Sequence, residues 1–265
     1  MSDTLTTTAL ILGLVEGVTE FLPISSTGHM IIVGDLLGFN NGFSKLFEVV
    51  IQLGAILAVC WLYRRKIWQT VTGLHQHGPS QTFARNVLIA FLPAVVIGLL
   101  AHDFIKRVLF SSTVVGWAFI VGGIAILAAE RWRPKATCAS TEEMSIPTAA
   151  KIGLFQCLAM IPGTSRSGAT IVGALLMGVT REAATEFSFF LAIPTMAGAT
   201  VLDLWKARHD WASMDGAAIG IGFVVAFLSA LVVVRGLVGF VSRHGFAPFA
   251  WYRIAAGLVI LYVVR

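Results

Sequence analysis

The sequence predicts an all-α polytopic membrane protein. The predicted architecture is an inverted repeat, in which each half contains one re-entrant broken helix pair plus three transmembrane helices. Three observations support this fold. Of the 265 residues, 57% are hydrophobic and only 12% are charged, whereas soluble domains carry about 25% charged residues. Six apolar stretches approach the ~20 residues that a spanning helix needs. Two further apolar regions are interrupted in a similar way.

The six uninterrupted stretches contain few charges and are long enough to cross a bilayer. They lie at about 45–63, 86–105, 112–130, 183–203, 217–240 and 247–264. Pro93 and Pro194 fall inside two of them. Transmembrane helices tolerate proline where neighbouring helices satisfy the freed backbone groups. We therefore expect six spans.

The two interrupted regions lie at about 8–38 and 148–178. Each contains a proline, then a cluster of Ser, Thr and Gly, and then a short apolar helix. Non-helical backbone survives at membrane depth only where it is buried in protein or lines a wet cavity. Each region is therefore predicted to be a re-entrant pair of half-helices.

The two interrupted regions also mark an internal repeat. Residues of the same type recur 140 positions apart: Ser25 and Ser165, Gly28 and Gly168, and Phe47 and Phe187. We therefore divide one membrane domain, 1–265, into halves at 1–135 and 145–265. A re-entrant pair returns to its own side and three spans do not, so the halves should be inserted in opposite directions. The binding site is expected where the broken elements meet.

Charge indicates the orientation. The net charge is +5, but no basic stripe accompanies it, so nucleic acid is not an expected partner. Lys and Arg are more frequent in loops 64–85, 131–147 and 241–246 than in the opposite loops. Basic loops favour the cytoplasm. The first broken element would then face outward, and the site would open to the periplasmic side.

Glu16 and Glu20 are four residues apart and share one helix face. In an apolar setting one of them can hold its proton and serve acid/base chemistry. A divalent cation bridging the two carboxylates would relieve the same repulsion. The alternative is a pair of solvent-facing glutamates near a helix end.

Ser25, Ser26, Thr27 and His29 follow Pro23 and begin an apolar helix. Hydroxyl residues there can simply cap the helix, and a helix N-terminus also binds anions. His29 can face back toward the carboxylates as a proton donor or acceptor. The alternative is a hydrogen-bonded structural histidine.

Arg166 lies in the second turn, between Ser165 and Ser167. Its planar guanidinium can bind phosphate oxygens with two hydrogen bonds. The alternative is an ion pair with Glu16 or Glu20. Glu48 and Gln52 lie one turn apart in the first span. They are secondary candidates, because a Gln in a span often bonds a neighbouring helix.

Together these residues suit hydrolysis of a phosphoanhydride at a membrane interface. A divalent metal and Arg166 would neutralise the phosphates. Ser26 or a water would attack, and Glu20 or His29 would move the proton. The nucleophile stays open at this point.

Residues 16–29, EGVTEFLPISSTGH, and 162–170, PGTSRSGAT, closely resemble the two motifs of the undecaprenyl-diphosphate phosphatase family, which is linked to bacitracin resistance. The similarity extends through residues 47–54 and 186–189. It implies removal of the terminal phosphate of undecaprenyl diphosphate, which recycles the lipid carrier for peptidoglycan synthesis. It also implies a divalent cation (Mg or Ca), the bacterial plasma (inner) membrane, contact with membrane lipids and a homodimer. The site positions it carries over are Glu16, Glu20, Ser26, Thr27, His29, Ser165 and Arg166.

A transporter, such as a flippase for the phosphorylated lipid carrier, is the alternative. Inverted repeats and broken helices are typical of transporters as well. A binding cradle alone, however, would not require His29 and the glutamate pair.

Overall fold

A computed structural model describes residues 3–39, 42–108, 111–206 and 215–264. These residues form eleven α-helices and one short 3₁₀ helix, Cys157–Met160. The helices are α1 (Asp3–Thr19), α2 (Ser26–Leu36), α3 (Gly42–Leu62), α4 (Arg64–Thr72), α5 (Pro79–Val108), α6 (Ser112–Trp132), α7 (Ile146–Gln156), α8 (Arg166–Leu176), α9 (Arg181–Lys206), α10 (Gly216–His244) and α11 (Ala247–Val263).

The pairing of helices follows the predicted repeat. The half-helices of each broken element pack against each other, α1 on α2 and α7 on α8. Helices α3, α5 and α6 of the first half then correspond to α9, α10 and α11 of the second. The pairs α1–α10 and α3–α10 recur as α7–α5 and α9–α5. Exchanging the halves therefore preserves the main helix contacts.

The equivalent helices α6 and α11 show that the halves run in opposite directions. Gly116, near the start of α6, packs against Leu261 at the end of α11, and Gly123 further along α6 packs against Ala250 near the start of α11. These two helices are therefore antiparallel. Tyr63 directly follows α3 and lies edge-on to Phe190 in the first half of α9, with ring centroids 5.1 Å apart. Equivalent helices that run antiparallel make the repeat an inverted one, as predicted.

Four described helices are long and apolar enough to cross a membrane: Pro79–Leu100, Ser112–Trp132, Arg181–Trp205 and Gly216–His244. The pair α3 and α4, bent by 72°, is a fifth candidate. Helix α11 has 17 residues, the lower limit for a span. The chain is therefore a multi-pass membrane protein. That α11 forms a sixth span stays a prediction.

Helix α4 and the segment between α6 and α7 complete the end of the molecule where α3 and α6 finish. The sequence did not predict α4. Lys66 on this helix lies 2.5 Å from a carboxylate oxygen of Glu142 and 2.9 Å from one of Glu186. Glu130 at the end of α6 accepts two bonds from Arg181 and one from the backbone N–H of Phe246. These contacts tie the two halves together at one end.

Candidate active site

The two broken elements turn in the same unusual way. Ser25 has φ 71° and Ser165 has φ 65°, and these are the two non-glycine residues with positive φ in the described chain. Each hydroxyl caps the following helix, accepting a hydrogen bond from the backbone N–H of Gly28 or Gly168. The capping interpretation therefore holds for Ser25, and the structure shows that Ser165 caps its helix in the same way. Strained backbone of this kind concentrates at functional sites.

Glu20, Ser26 and Arg166 form one buried cluster between the two turns. The Ser26 hydroxyl donates a hydrogen bond to Glu20 Oε2. Arg166 Nη2 lies 3.1 Å from Glu20 Oε1. The ion pair considered as an alternative from the sequence is thus present, and it draws both broken elements together. A phosphate placed beside Arg166 would also lie beside the Ser26 hydroxyl.

Further contacts fix the guanidinium of Arg166. Its Nη1 donates to the carbonyl of Ser188 at 2.8 Å and approaches the hydroxyl of the same residue at 3.3 Å. Ser188 belongs to α9 and also accepts a hydrogen bond from Thr170 of α8. The arginine is therefore held between helices of the second half while it pairs with a carboxylate of the first.

Glu16 lies one turn before Glu20 on α1 and is 3% exposed. Its Oε1 is buried without a hydrogen-bond partner in the described structure. It interacts electrostatically with Glu20, Glu48 and Arg166. Such an orphaned carboxylate oxygen is costly, so Glu16 is suited to bind a proton or a cation.

A polar cavity of about 170 Å³ opens beside the cluster. Gln52 and Thr27 line it together with Glu20, Ser25, Ser26, Ser165 and Arg166. Ser167 instead donates to the carbonyl of Leu22 and lies 3.1 Å from the Ser165 hydroxyl, so it braces the two turns against each other. Most of the predicted phosphate-binding residues therefore surround one cavity.

Both ring nitrogens of His29 have partners other than the glutamates toward which the sequence suggested it could face. Its Nδ1 lies 2.7 Å from the carbonyl of Ser25, and its Nε2 lies 2.6 Å from the hydroxyl of Tyr252 on α11. The ring stacks on that tyrosine. The contact with the Ser25 carbonyl, four residues back along the chain, holds the imidazole beside the first turn. The structural interpretation of His29 describes this geometry better.

Sequence reasoning missed Arg253, which is fully buried in α11. Among the described residues no carboxylate pairs with it, and its guanidinium instead donates to five backbone carbonyls. They belong to Pro23 in the first turn, Gly163 and Thr164 in the second, and Ala118 and Phe119 in α6. An ionisable residue in the middle of an apolar stretch is a functional signal in its own right, and that signal would have found it.

An apolar groove of about 630 Å³ adjoins the polar cavity, and Ala159, Met160 and Arg166 border both. The groove runs between α5 and α9 from Phe91 to Trp205. A charged cavity that continues into an apolar groove can accept an amphiphile with a phosphorylated head.

The residues present are compatible with a divalent cation. Among the described residues, no group of three or more His, Cys, Asp or Glu forms a preassembled metal site. Glu16 nevertheless offers an unsatisfied buried oxygen next to Glu20. Mg²⁺ is commonly held by one or two carboxylates together with substrate phosphates. Two glutamates and a diphosphate therefore make a sufficient ligand set.

Known proteins resemble this chain over almost its whole length. The family model described as "Bacitracin resistance protein BacA" matches residues 9–259. A protein from Methylococcus capsulatus named undecaprenyl-diphosphatase is 57% identical, over 96% of this chain and 93% of its own. Undecaprenyl-diphosphatase 2 of Rhodospirillum rubrum is 59% identical over the same shares. The chain therefore belongs to the bacitracin resistance protein BacA family.

Proposed function

We propose that this protein is an integral membrane phosphatase that hydrolyses undecaprenyl diphosphate to undecaprenyl phosphate and inorganic phosphate. The reaction recycles the lipid carrier for peptidoglycan synthesis and thereby confers bacitracin resistance. The observation that carries the proposal is the cluster in which the Ser26 hydroxyl donates to Glu20 and Glu20 pairs with Arg166. The names of the relatives support the substrate.

The contacts favour Ser26 over water as the nucleophile. Its Oγ attacks the terminal phosphorus while Glu20 accepts the hydroxyl proton. The bond between that phosphorus and the bridging oxygen breaks, and undecaprenyl phosphate leaves. Water then hydrolyses the phosphoserine, and the proton returns from Glu20 to Ser26. Arg166 stabilises the charge that develops on the phosphoryl oxygens.

Glu16 and Glu20 would hold the proposed divalent cation, Mg²⁺ or Ca²⁺, together with phosphate oxygens of the substrate. The cation would neutralise the diphosphate when bound. Without it, two adjacent buried carboxylates oppose an anionic substrate. Phosphate release should therefore fall when a chelator is present and recover when the metal is restored.

The groove between α5 and α9 is proposed to hold the first isoprene units of the lipid. Its lining is mostly apolar and reaches Leu99, Leu202 and Trp205. The excess of basic residues at the end that carries Arg64, Arg131 and Arg243 supports placing that end in the cytoplasm. The groove, built from the late part of α9, would then open toward the outer leaflet of the bacterial inner membrane.

The test uses purified protein in detergent with undecaprenyl diphosphate and measures released phosphate. Glu20→Gln should lower kcat by about 10²–10⁴-fold, because the base is lost. Arg166→Ala should lower kcat/KM by a similar factor. Release at the wild-type rate in either variant would contradict the site. The homodimer implied by the resemblance is checked by light scattering on the same preparation.

Transport of the phosphorylated carrier is the second candidate, because inverted halves that meet at broken helices are typical of transporters. A serine hydrogen-bonded to a carboxylate has no evident use in transport. Lipid flipping in proteoliposomes without any phosphate release from the wild type would favour this alternative.

A further inference from the structure

Gln156 is the last residue of α7, and it lines the apolar groove. It is 2% exposed, and its Nε2 has no hydrogen-bond partner among the described residues. The Thr195 hydroxyl lies 3.3 Å from Gln156 Oε1 and 2.7 Å from the carbonyl of Leu191. In this arrangement the amide oxygen faces Thr195, and the amide NH₂ is left without a partner on a residue that lines the groove.

Arg166, which also borders the groove, carries a second unsatisfied donor. Its two terminal nitrogens contact Ser188 and Glu20, but its buried Nε has no partner. Arg166 borders both the polar cavity and the groove. Unsatisfied buried N–H groups destabilise a fold. Two of them on residues that border one groove indicate a missing acceptor.

A substrate with two phosphates supplies that acceptor. The terminal phosphate occupies the polar cavity beside Ser26, and the lipid tail occupies the groove. The lipid-linked phosphate connects these two parts of the substrate. It must therefore lie where the polar cavity meets the groove, beside Arg166. It is anionic and carries unesterified oxygens that accept hydrogen bonds.

Resting on the proposed function, we infer that Gln156 Nε2 and Arg166 Nε form a second anion subsite that binds the lipid-linked phosphate. Arg166 thus contacts both phosphates of the substrate, through different nitrogens. By binding the lipid-linked phosphate, the subsite sets which phosphorus lies next to Ser26. The product, a prenyl monophosphate, retains the phosphate that the subsite binds.

The repeat adds an independent observation. Gln156 lies 140 positions after Glu16 and is its counterpart in the second half. At equivalent places the two halves therefore carry a carboxylate and an amide. The carboxylate side suits the proton or cation, whereas the amide side can donate hydrogen bonds to an anion without opposing it.

The experiment measures ligand binding to the purified full-length protein by thermal stabilisation, so that it does not depend on turnover. The ligands are undecaprenyl phosphate and undecaprenol, which has the same tail and no phosphate. Gln156→Met keeps the length of the side chain and removes the donors. It should weaken undecaprenyl phosphate binding about tenfold, the usual effect of one hydrogen bond to a charged group. Gln156→Glu should weaken it further. Undecaprenol binding should not change.

Gln76→Met, on an exposed loop, is the matched control and should bind both ligands like the wild type. If Gln156→Met fails to fold, Thr195→Val takes its place, because it frees the amide to rotate, and should weaken undecaprenyl phosphate binding severalfold. Wild-type affinity in the folded Gln156 variants, or an equal loss for undecaprenol, overturns the subsite. A wild type that releases no phosphate yet shows the Gln156-dependent binding overturns the phosphatase and leaves the subsite standing.

Discussion

At the scale of single residues, the site depends on polar groups that the membrane makes costly. Glu20, Ser26 and Arg166 satisfy one another, whereas Glu16 Oε1, Gln156 Nε2 and Arg166 Nε are left unsatisfied. Unsatisfied groups of this kind beside a cavity indicate where substrate or a cation completes the hydrogen bonding.

Arg253 gives the first prediction. Arg253→Met removes the donors that join the turn at Pro23 to the turn at Gly163. We expect a loss of about 3 kcal/mol or more in the free energy of unfolding, because several buried carbonyls lose their partners. Activity should fall even at temperatures where the variant is folded, since the turns carry Ser26 and Arg166.

Thermal unfolding and phosphate release measure these two effects. Arg253→Lys keeps the charge and some donors, and should recover part of the activity. Arg235→Met, which changes an exposed arginine on α10, is the control and should alter neither quantity. A folded Arg253→Met protein with wild-type kcat would show that the turns hold their geometry without this residue.

At the scale of helices, α1 is positioned by its close approach to α10. A Cβ at Gly13 would lie 2.5 Å from the carbonyl oxygen of Gly222, and one at Gly17 would collide with Ser229 and Ala226. Small residues allow membrane helices to pack this closely. The approach matters because α1 carries Glu16, and Glu20 directly follows its last residue.

The second prediction follows from that contact. Gly13→Ala should destabilise the protein by about 1–3 kcal/mol, the usual effect of overpacking, and should lower phosphate release by displacing α1. The control is Gly220→Ala on α10, where the position of the added Cβ is surrounded by open space. This change should be neutral or slightly stabilising. The two variants are compared by thermal unfolding. Equal unfolding temperatures would be evidence against close packing of α1 on α10.

The segment between α6 and α7 gives the third prediction, which concerns pH. Burial raises the pKa of Glu142, but the hydrogen bond and charge of Lys66, together with hydrogen bonds from the backbone and Thr141, lower it more, so the net shift is downward. A depressed carboxyl pKa stabilises the fold above the unfolded value of about 4.3, and the contribution is lost as pH falls through the folded pKa.

Glu142→Gln should therefore lower the free energy of unfolding by up to about 1 kcal/mol near neutral pH, as expected of a partly exposed ion pair. The difference from the wild type should shrink below about pH 4. Glu143→Gln, at the exposed neighbouring position, is the control. The measurement is thermal unfolding across this range, and a difference that grows toward acid would reverse the assigned sign.

At the scale of the whole molecule, the two inverted halves place their broken elements face to face. Ser167 of one turn donates to Leu22 of the other, and Arg166 reaches Glu20 across the same junction. Each half supplies only part of the site: the carboxylates and Ser26 come from the first, and the arginine from the second.

The fourth prediction concerns orientation. In a variant without Cys60, Cys138 and Cys157, a cysteine at Thr72 should react with impermeant reagents only from the cytoplasm, because α4 carries the basic residues. A cysteine at Ala207, which lies outside the described residues, should react from the periplasm. The opposite labelling pattern would invert the protein and turn the groove toward the inner leaflet.

The sequence by itself determined the class of fold, the repeat and most of the cavity. Apolar length and interrupted helices follow from local composition, and the recurrence of Ser25 at Ser165 marks equivalent turns. Composition near one residue does not specify which distant groups it meets. Only the tertiary structure decided that Ser26 donates to Glu20, that His29 turns to Tyr252, and that Arg253 joins both turns. The contacts of His29 and Arg253 depend on how the two halves pack, because they link residues from different halves. The contact of Ser26 with Glu20 depends on how the chain folds back between α1 and α2, which no local pattern encodes.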